Sequence, residues 1–162
     1  MRPIAIILAV IAVCLTALTG YLYLITNMEV VGVGCVATDP VNDTETFESL
    51  KAQVTTGTFT GTPFHTDEIG DAGGYQYYTY TVRLKNRTFI DAQAVELQVT
   101  PMSDDVLQLP DESEHTLRSQ ATGDLSATIL TTREAHNIRE LTVTYYLWGL
   151  PFSTRLTYSR TQ

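Results

Sequence analysis

The chain opens with a run from Pro3 to Ile25 that carries no charged side chain. A helix over residues 3–25, at about 1.5 Å rise per residue, is roughly 34 Å long, enough for a hydrocarbon core of about 30 Å. Lipid offers no partners to backbone N–H and C=O groups, so a helix is the form such a run takes there. Thr16, Thr19 and Gly20 are mild interruptions, because a threonine hydroxyl bonds back to its own helix. Tyr21 and Tyr23 stand at the C-terminal end, where amphipathic rings prefer the headgroup layer. Arg2 and the amino terminus are the only cations before the run; Glu29 follows it, and the next cation is Lys51. This asymmetry predicts a cytoplasmic N-terminus, a single-pass anchor over residues 1–26 in the cell membrane, and an extracytoplasmic domain over residues 27–162.

Two other readings of the run fit it less well. A cleaved signal peptide has an apolar core of about 7–15 residues and a small-x-small site. Ala17-Leu18-Thr19 is the nearest match, and cleavage there leaves Tyr21 to Ile25 as an apolar new terminus. A lipidated cysteine wants small residues just before it. Cys14 follows the bulky Val13, and Cys35 lies well beyond the run.

The rest of the chain is long enough for one domain with its own core. It holds all 18 acidic residues and nine of the ten Lys and Arg. So acidic a surface argues against nucleic acid and against adhesion to anionic lipid. Cys14 falls in the apolar run and Cys35 outside it, so no disulfide is expected between them. That usage suits a bacterial envelope protein stabilised by its core. The sequons Asn42-Asp43-Thr44 and Asn86-Arg87-Thr88 point the other way.

Helical periodicity is confined to residues 42–54. Asn42 and Glu45 have capping-box spacing there, and Phe47, Leu50 and Val54 share a face. Elsewhere the chain alternates with period two and is rich in Thr, Tyr, Val and Leu, which is strand composition. Strands are predicted over 28–37, over 55–63, over 75–86 with Tyr78, Tyr80, Val82 and Leu84 on one face, over 92–100 with Val95, Leu97 and Val99 inward, and over 124–132. Val106 to Leu109 reads as a brief edge strand, and His65 to Gly74 as a polar loop. The final segment reads as a hairpin. With Gly149 first in a type II′ turn, Leu147 pairs with Phe152, Tyr145 with Thr154, Val143 with Leu156 and Leu141 with Tyr158. A one-residue slip mixes the apolar and polar faces, so the alternation resists it. The expected fold is all-β, an Ig-like antiparallel sandwich of about seven strands behind one N-terminal helix.

The segment Val82 to Asn86, a turn, and then Ala94 to Val99, followed by Gly123-Asp124-Leu125-Ser126-Ala127-Thr128-Ile129, resembles small bacterial Ig-like modules of the CARDB and FxLYD kind. The resemblance spans roughly residues 75–160 and implies an Ig-like extracytoplasmic module with an adhesive or accessory role.

Candidate sites are few. His65, Asp67, Glu68 and Asp71 offer nitrogen and oxygen ligands within one loop, though not in the alternation of a calcium loop. A solvated acidic loop is the competing reading. Asp104-Asp105 and the stretch from Asp111 to His115 form a second acidic segment of the same kind. Cys35 lies in a strand pattern beside apolar residues, as an inert thiol does. No Gly-x-Ser-x-Gly elbow occurs, and the three histidines lie in three separate polar stretches. No catalytic residue and no cofactor is therefore expected. Tyr146 and Trp148, on the outward face of the last hairpin beside Pro151, are the candidates for partner contact.

The expected function is a non-catalytic binding or accessory subunit of an envelope complex. Its partners are the bilayer, through residues 3–25, and a protein in or near the same membrane. The alternative is a pilin-like filament subunit, whose apolar N-terminal helices bundle in a filament core. Such subunits carry a Gly-Phe-x-x-x-Glu peptidase site, whereas Met1-Arg2-Pro3 opens this chain and no Glu lies in its apolar run. A hydrolase using His65 or His115 is a third class, for which no nucleophile stands out.

Overall fold

The computed structural model describes residues 2–25, 28–65, 68–111, 115–133 and 138–159. Helix α1 (Arg2–Ile25) precedes eight strands and one further helix. Over Pro3–Tyr21 its mean hydropathy is 2.5 and no residue is buried against the rest of the chain. By length and composition it is able to cross a bilayer. The hydroxyls of Thr16 and Thr19 donate to the carbonyls of Ala12 (2.9 Å) and Leu15 (2.7 Å), so their polarity is absorbed within the helix.

The strands are β1 (Met28–Thr38), β2 (Thr62–Pro63), β3 (Tyr75–Asn86), β4 (Gln93–Val99), β5 (Asp105–Gln108), β6 (Thr122–Thr132), β7 (Ile138–Leu147) and β8 (Leu150–Ser159). They form two antiparallel sheets, ordered β1-β3-β6-β5-β2 and β4-β7-β8. With β2 set aside, these orders are the ABED and CFG sheets of a constant-type Ig sandwich. The core lies between them. Tyr78, Tyr80, Val82 and Leu84 of β3 and Leu125, Ala127 and Ile129 of β6 face Val95, Leu97 and Val99 of β4 and Leu141, Val143, Tyr145 and Leu147 of β7. Each fully buried Val or Leu contributes about 1.5–3 kcal/mol of burial free energy, so this alternation is the main reason for the fold.

The A–B connection carries α2 (Thr44–Thr56), which packs on the outer face of the larger sheet. Phe47 and Leu50 meet Ile69, Leu107 and Leu130 there. The cap differs from the Asn42 and Glu45 box expected. Asp43 is the N-cap, and its carboxylate accepts the Thr46 amide at 3.2 Å. Asn42 belongs instead to a 3-10 turn over Pro40–Asp43 that Asp39 caps. The helix also runs two residues past Val54 and stops at Gly57, whose φ of 69° is a left-handed closing position. The strand expected over 55–63 therefore reduces to Thr62–Pro63.

Two further expectations are corrected. Val106 to Leu109 is not an edge strand: β5 pairs with β6 on one side and β2 on the other. The last hairpin turns on Trp148-Gly149, with φ of 53° and 75°, so both central residues are left-handed, as in a type I′ turn. Tyr145 then pairs with Phe152, Val143 with Thr154 and Leu141 with Leu156. The shift from the expected register is two residues, which leaves every side chain on its expected face.

The outward face of β3 and β6 is a ladder of polar pairs. Thr79 and Thr128 share a hydrogen bond of 2.8 Å, and Arg83 grips Asp124 with two of 2.7 Å. Arg83 holds the Asp124 carboxyl below its ordinary value of 3.8. Asp43 is lowered by Thr46, and Asp39 first by the Val41 amide and then by Arg133. A lowered folded value stabilises the native state above the ordinary carboxylate range, and that contribution is lost as pH falls through the folded value. The melting temperature is expected to drop below about pH 4, and less steeply in Asp124→Asn than in the wild type. Thermal melts across that range check it, and parallel slopes in the two proteins count against it.

Candidate functional site

The loop before β3 does not gather its polar residues. His65, Glu68 and Asp71 are all exposed, and Asp67 lies outside the described residues. The loop is organised instead around buried Ile69, and the Tyr75 hydroxyl accepts the Gly70 amide at 3.0 Å. Among the described residues no three His, Cys, Asp or Glu side chains converge as metal ligands do.

The second acidic segment divides. Asp111 meets His115 at 2.8 Å, a pairing the sequence did not suggest for that histidine, and residues 112–114 lie outside the described set. Asp105 is not solvated at all. It is 0% exposed and takes two hydrogen bonds of 2.6 and 2.7 Å from Arg139, itself 1% exposed. The cause is a β-bulge. The register with β6 shifts between Asp105 and Leu107, so Asp105 lies opposite Thr131 on the inner side while Leu107 joins the outer cluster. Arg139 reaches it from β7, so the pair ties the two sheets together. Tyr80 stands beside Arg139, and burial, more than any neighbour, pushes its phenol above the usual range. Cys35 packs against this core from β1, where a thiol acts as a small apolar filler.

A groove of about 600 Å³ lies between α2 and the outer face of the sheet, lined by Thr38, Gln53, Phe59, Tyr77, Leu109 and Pro110 among others. The Tyr77 hydroxyl is shielded there with no hydrogen-bond partner among the described residues, and burial raises its pKa. The groove has room for a small amphipathic molecule.

The aromatic tip is the most unusual surface. Tyr146 lies directly opposite Pro151, and both are exposed. Trp148 is 54% exposed and Leu150 58%. Phe89, in the loop between β3 and β4, is 81% exposed and belongs to the same end of the sandwich. Sequence reasoning singled out Tyr146, Trp148 and Pro151 but passed over Phe89 and Leu150. The available signal for Phe89 was a lone aromatic inside a turn, outside any alternation.

The Phe89 loop is braced. Asn86 is fully buried, and its amide donates to the carbonyls of Ile90 (2.8 Å) and Leu117 (3.0 Å). Its oxygen accepts the Thr88 amide and hydroxyl, and Gln120 and Ser119 bond the Thr88 carbonyl. Both hydrogens of the Asn86 amide are engaged, so this sequon has no place for a glycan in the folded domain.

The chain matches no protein-family model and no curated protein. The solved structures it is similar to include these two. A FixG-related protein from Vibrio parahaemolyticus is 11% identical, with a TM-score of 0.35 over 81% of this chain and 96% of that one. The cupredoxin domain of amoB from Nitrosocaldus yellowstonii is 10% identical, with a TM-score of 0.37 over 83% of this chain and 88% of that one. Likeness at this level carries no argument about what the chain does.

Proposed function

We propose that the chain is a single-pass membrane protein whose Ig-like sandwich sits outside the cytoplasm as a non-catalytic binding or accessory subunit of an envelope complex. The observation that carries this reading is α1, apolar and unburied over Pro3–Tyr21 and separated from β1 only by residues 26 and 27. Arg2 at its start and Glu29 after it favour an inward N-terminus. The short connection keeps the sandwich next to the bilayer, which favours a partner in the same membrane. A non-catalytic role is supported by the core packing of Cys35 and by the scattering of His65, Glu68 and Asp71. Among the sheet edges, β1 with exposed Val31 and Val36 and β8 of the other sheet are lateral surfaces open to such a partner.

Affinity capture of the full chain from gently solubilised membranes tests the reading. One membrane protein recovered with it in constant ratio is the expected result. Repeated recovery of the chain alone counts against it.

A further inference from the structure

We infer that the end of the sandwich nearest α1 rests in the headgroup layer of the membrane that α1 enters, with Phe89, Trp148 and Leu150 as the inserted side chains. This rests on the anchored reading above. The topology brings these residues to one end. Met28, where β1 begins, lies opposite Asn86, where β3 finishes, so the loop carrying Phe89 starts at the end where the chain arrives from α1. Gln93 at the start of β4 lies opposite Tyr146 near the end of β7, so the tip at Trp148 and Leu150 is at that end too. Three peptide steps of about 3.8 Å hold Met28 within about 11 Å of Ile25 whatever path residues 26 and 27 take.

The side chains at this end suit a bilayer interface. Tryptophan and other aromatic rings prefer the headgroup layer. Phe89, Tyr146 and Trp148, the strongly exposed aromatics of the sandwich among the described residues, all sit here, while the large apolar side chains exposed toward the far end among those residues are the aliphatic Val36, Val41 and Ile138. Two local features show that the exposure is built. Phe89 projects from a loop whose backbone is fixed by Asn86, Thr88 and Gln120, so it is held out instead of folding back. Trp148 occupies a left-handed position at φ 53°, where a type I′ turn favours Asn or Gly and a bulky side chain is strained. Strain kept at a surface tip marks a working position. The net charge of -8 on the whole chain disfavours anionic lipid, and the side chains named are apolar, so the contact suits zwitterionic headgroups.

Trp148 is the only tryptophan, so its fluorescence reports on the tip alone. The test reconstitutes the full chain into phosphatidylcholine vesicles and first asks whether it floats with them after an alkaline wash. The expected result is flotation, a blue-shifted Trp148 emission, quenching by lipids brominated high on the acyl chain, and shelter from iodide. Phe89→Ser with Leu150→Ser is expected to abolish the bromolipid quenching while flotation and the melting temperature stay unchanged, because both side chains are exposed. A chain that floats with Trp148 fully open to iodide overturns this inference alone. Failure to float overturns the anchored reading and this inference with it. Emission at the water position in pure lipid but sheltered in native membranes gives the tip to a protein partner and also overturns it.

Discussion

Replacing Asp105 by alanine is expected to destabilise the sandwich by about 3–5 kcal/mol and to lower its melting temperature by about 10 °C. The substitution leaves the Arg139 guanidinium at 1% exposure with no carboxylate opposite it. It also removes the acceptor of the Met102 amide, now bonded to Asp105 at 2.7 Å. Among the described residues Arg139 Nε is already buried with no partner, so no neighbouring acceptor stands ready to replace the carboxylate. The reciprocal Arg139→Ala strands a carboxylate that is 0% exposed and is expected to cost a similar amount. The double replacement Asp105→Leu with Arg139→Met separates pairing from packing. Apolar side chains of similar volume regain the contacts without either desolvated charge, so the double variant is expected to recover most of the lost stability. Urea unfolding of the full chain in mild detergent, followed by far-ultraviolet circular dichroism, measures all three. If either single variant unfolds within about 1 kcal/mol of the wild type, the pair does not tie the two sheets together.

What the sequence revealed of this arrangement depended on whether period-two alternation held. In β3 and β7 it is unbroken, and in β4 it holds from Val95 onward, past an irregularity between Gln93 and Glu96, so Tyr78 to Leu84, Val95 to Val99 and Leu141 to Leu147 read correctly as the core. In β5 it breaks at a bulge. Asp105 sits next to Asp104 and looks like part of a solvated acidic pair, yet one extra residue in the ladder turns it inward. No local pattern announces a bulge, and its partner Arg139 stands 34 residues away. The hairpin shows a milder form of the same limit. Trp148 at a left-handed position is a poor candidate by residue preference, so the turn was expected one residue later. The aromatic tip was half legible for a related reason. Tyr146 lies on an alternating strand whose faces can be counted and Trp148 in the turn that directly continues it, whereas Phe89 lies in a loop whose shape is set by buried Asn86 and the distant Gln120. The α2 boundaries failed where two acids, Asp39 and Asp43, both offered a cap close to Asn42.

Phe47→Ala should release α2 before the sandwich unfolds. Phe47 is fully buried, packs against the tilted Tyr75 ring with centroids 5.9 Å apart, and belongs to the cluster with Leu50, Ile69, Leu107 and Leu130. Removing a buried phenylalanine costs about 3–5 kcal/mol, part transfer and part cavity. The loss falls on one side of a boundary. The main core between the sheets shares no buried residue with this outer cluster, and α2 meets the sheet mainly through Phe47 and Leu50. A helix of 13 residues has little stability without such contacts, even with Asp43 and Gly57 closing its ends. The amides of α2 are therefore expected to exchange far faster in Phe47→Ala, while those of β3, β6 and β7 lose little protection. Native-state hydrogen exchange reads both regions at once, and Glu48→Ala, exposed on the same helix, is the control expected to change neither. A uniform loss across α2 and the strands would show instead that the A–B insertion and the sandwich unfold as one unit. Selective loss in α2 would make the groove beside Tyr77 a surface that opens and closes with the docking of that helix.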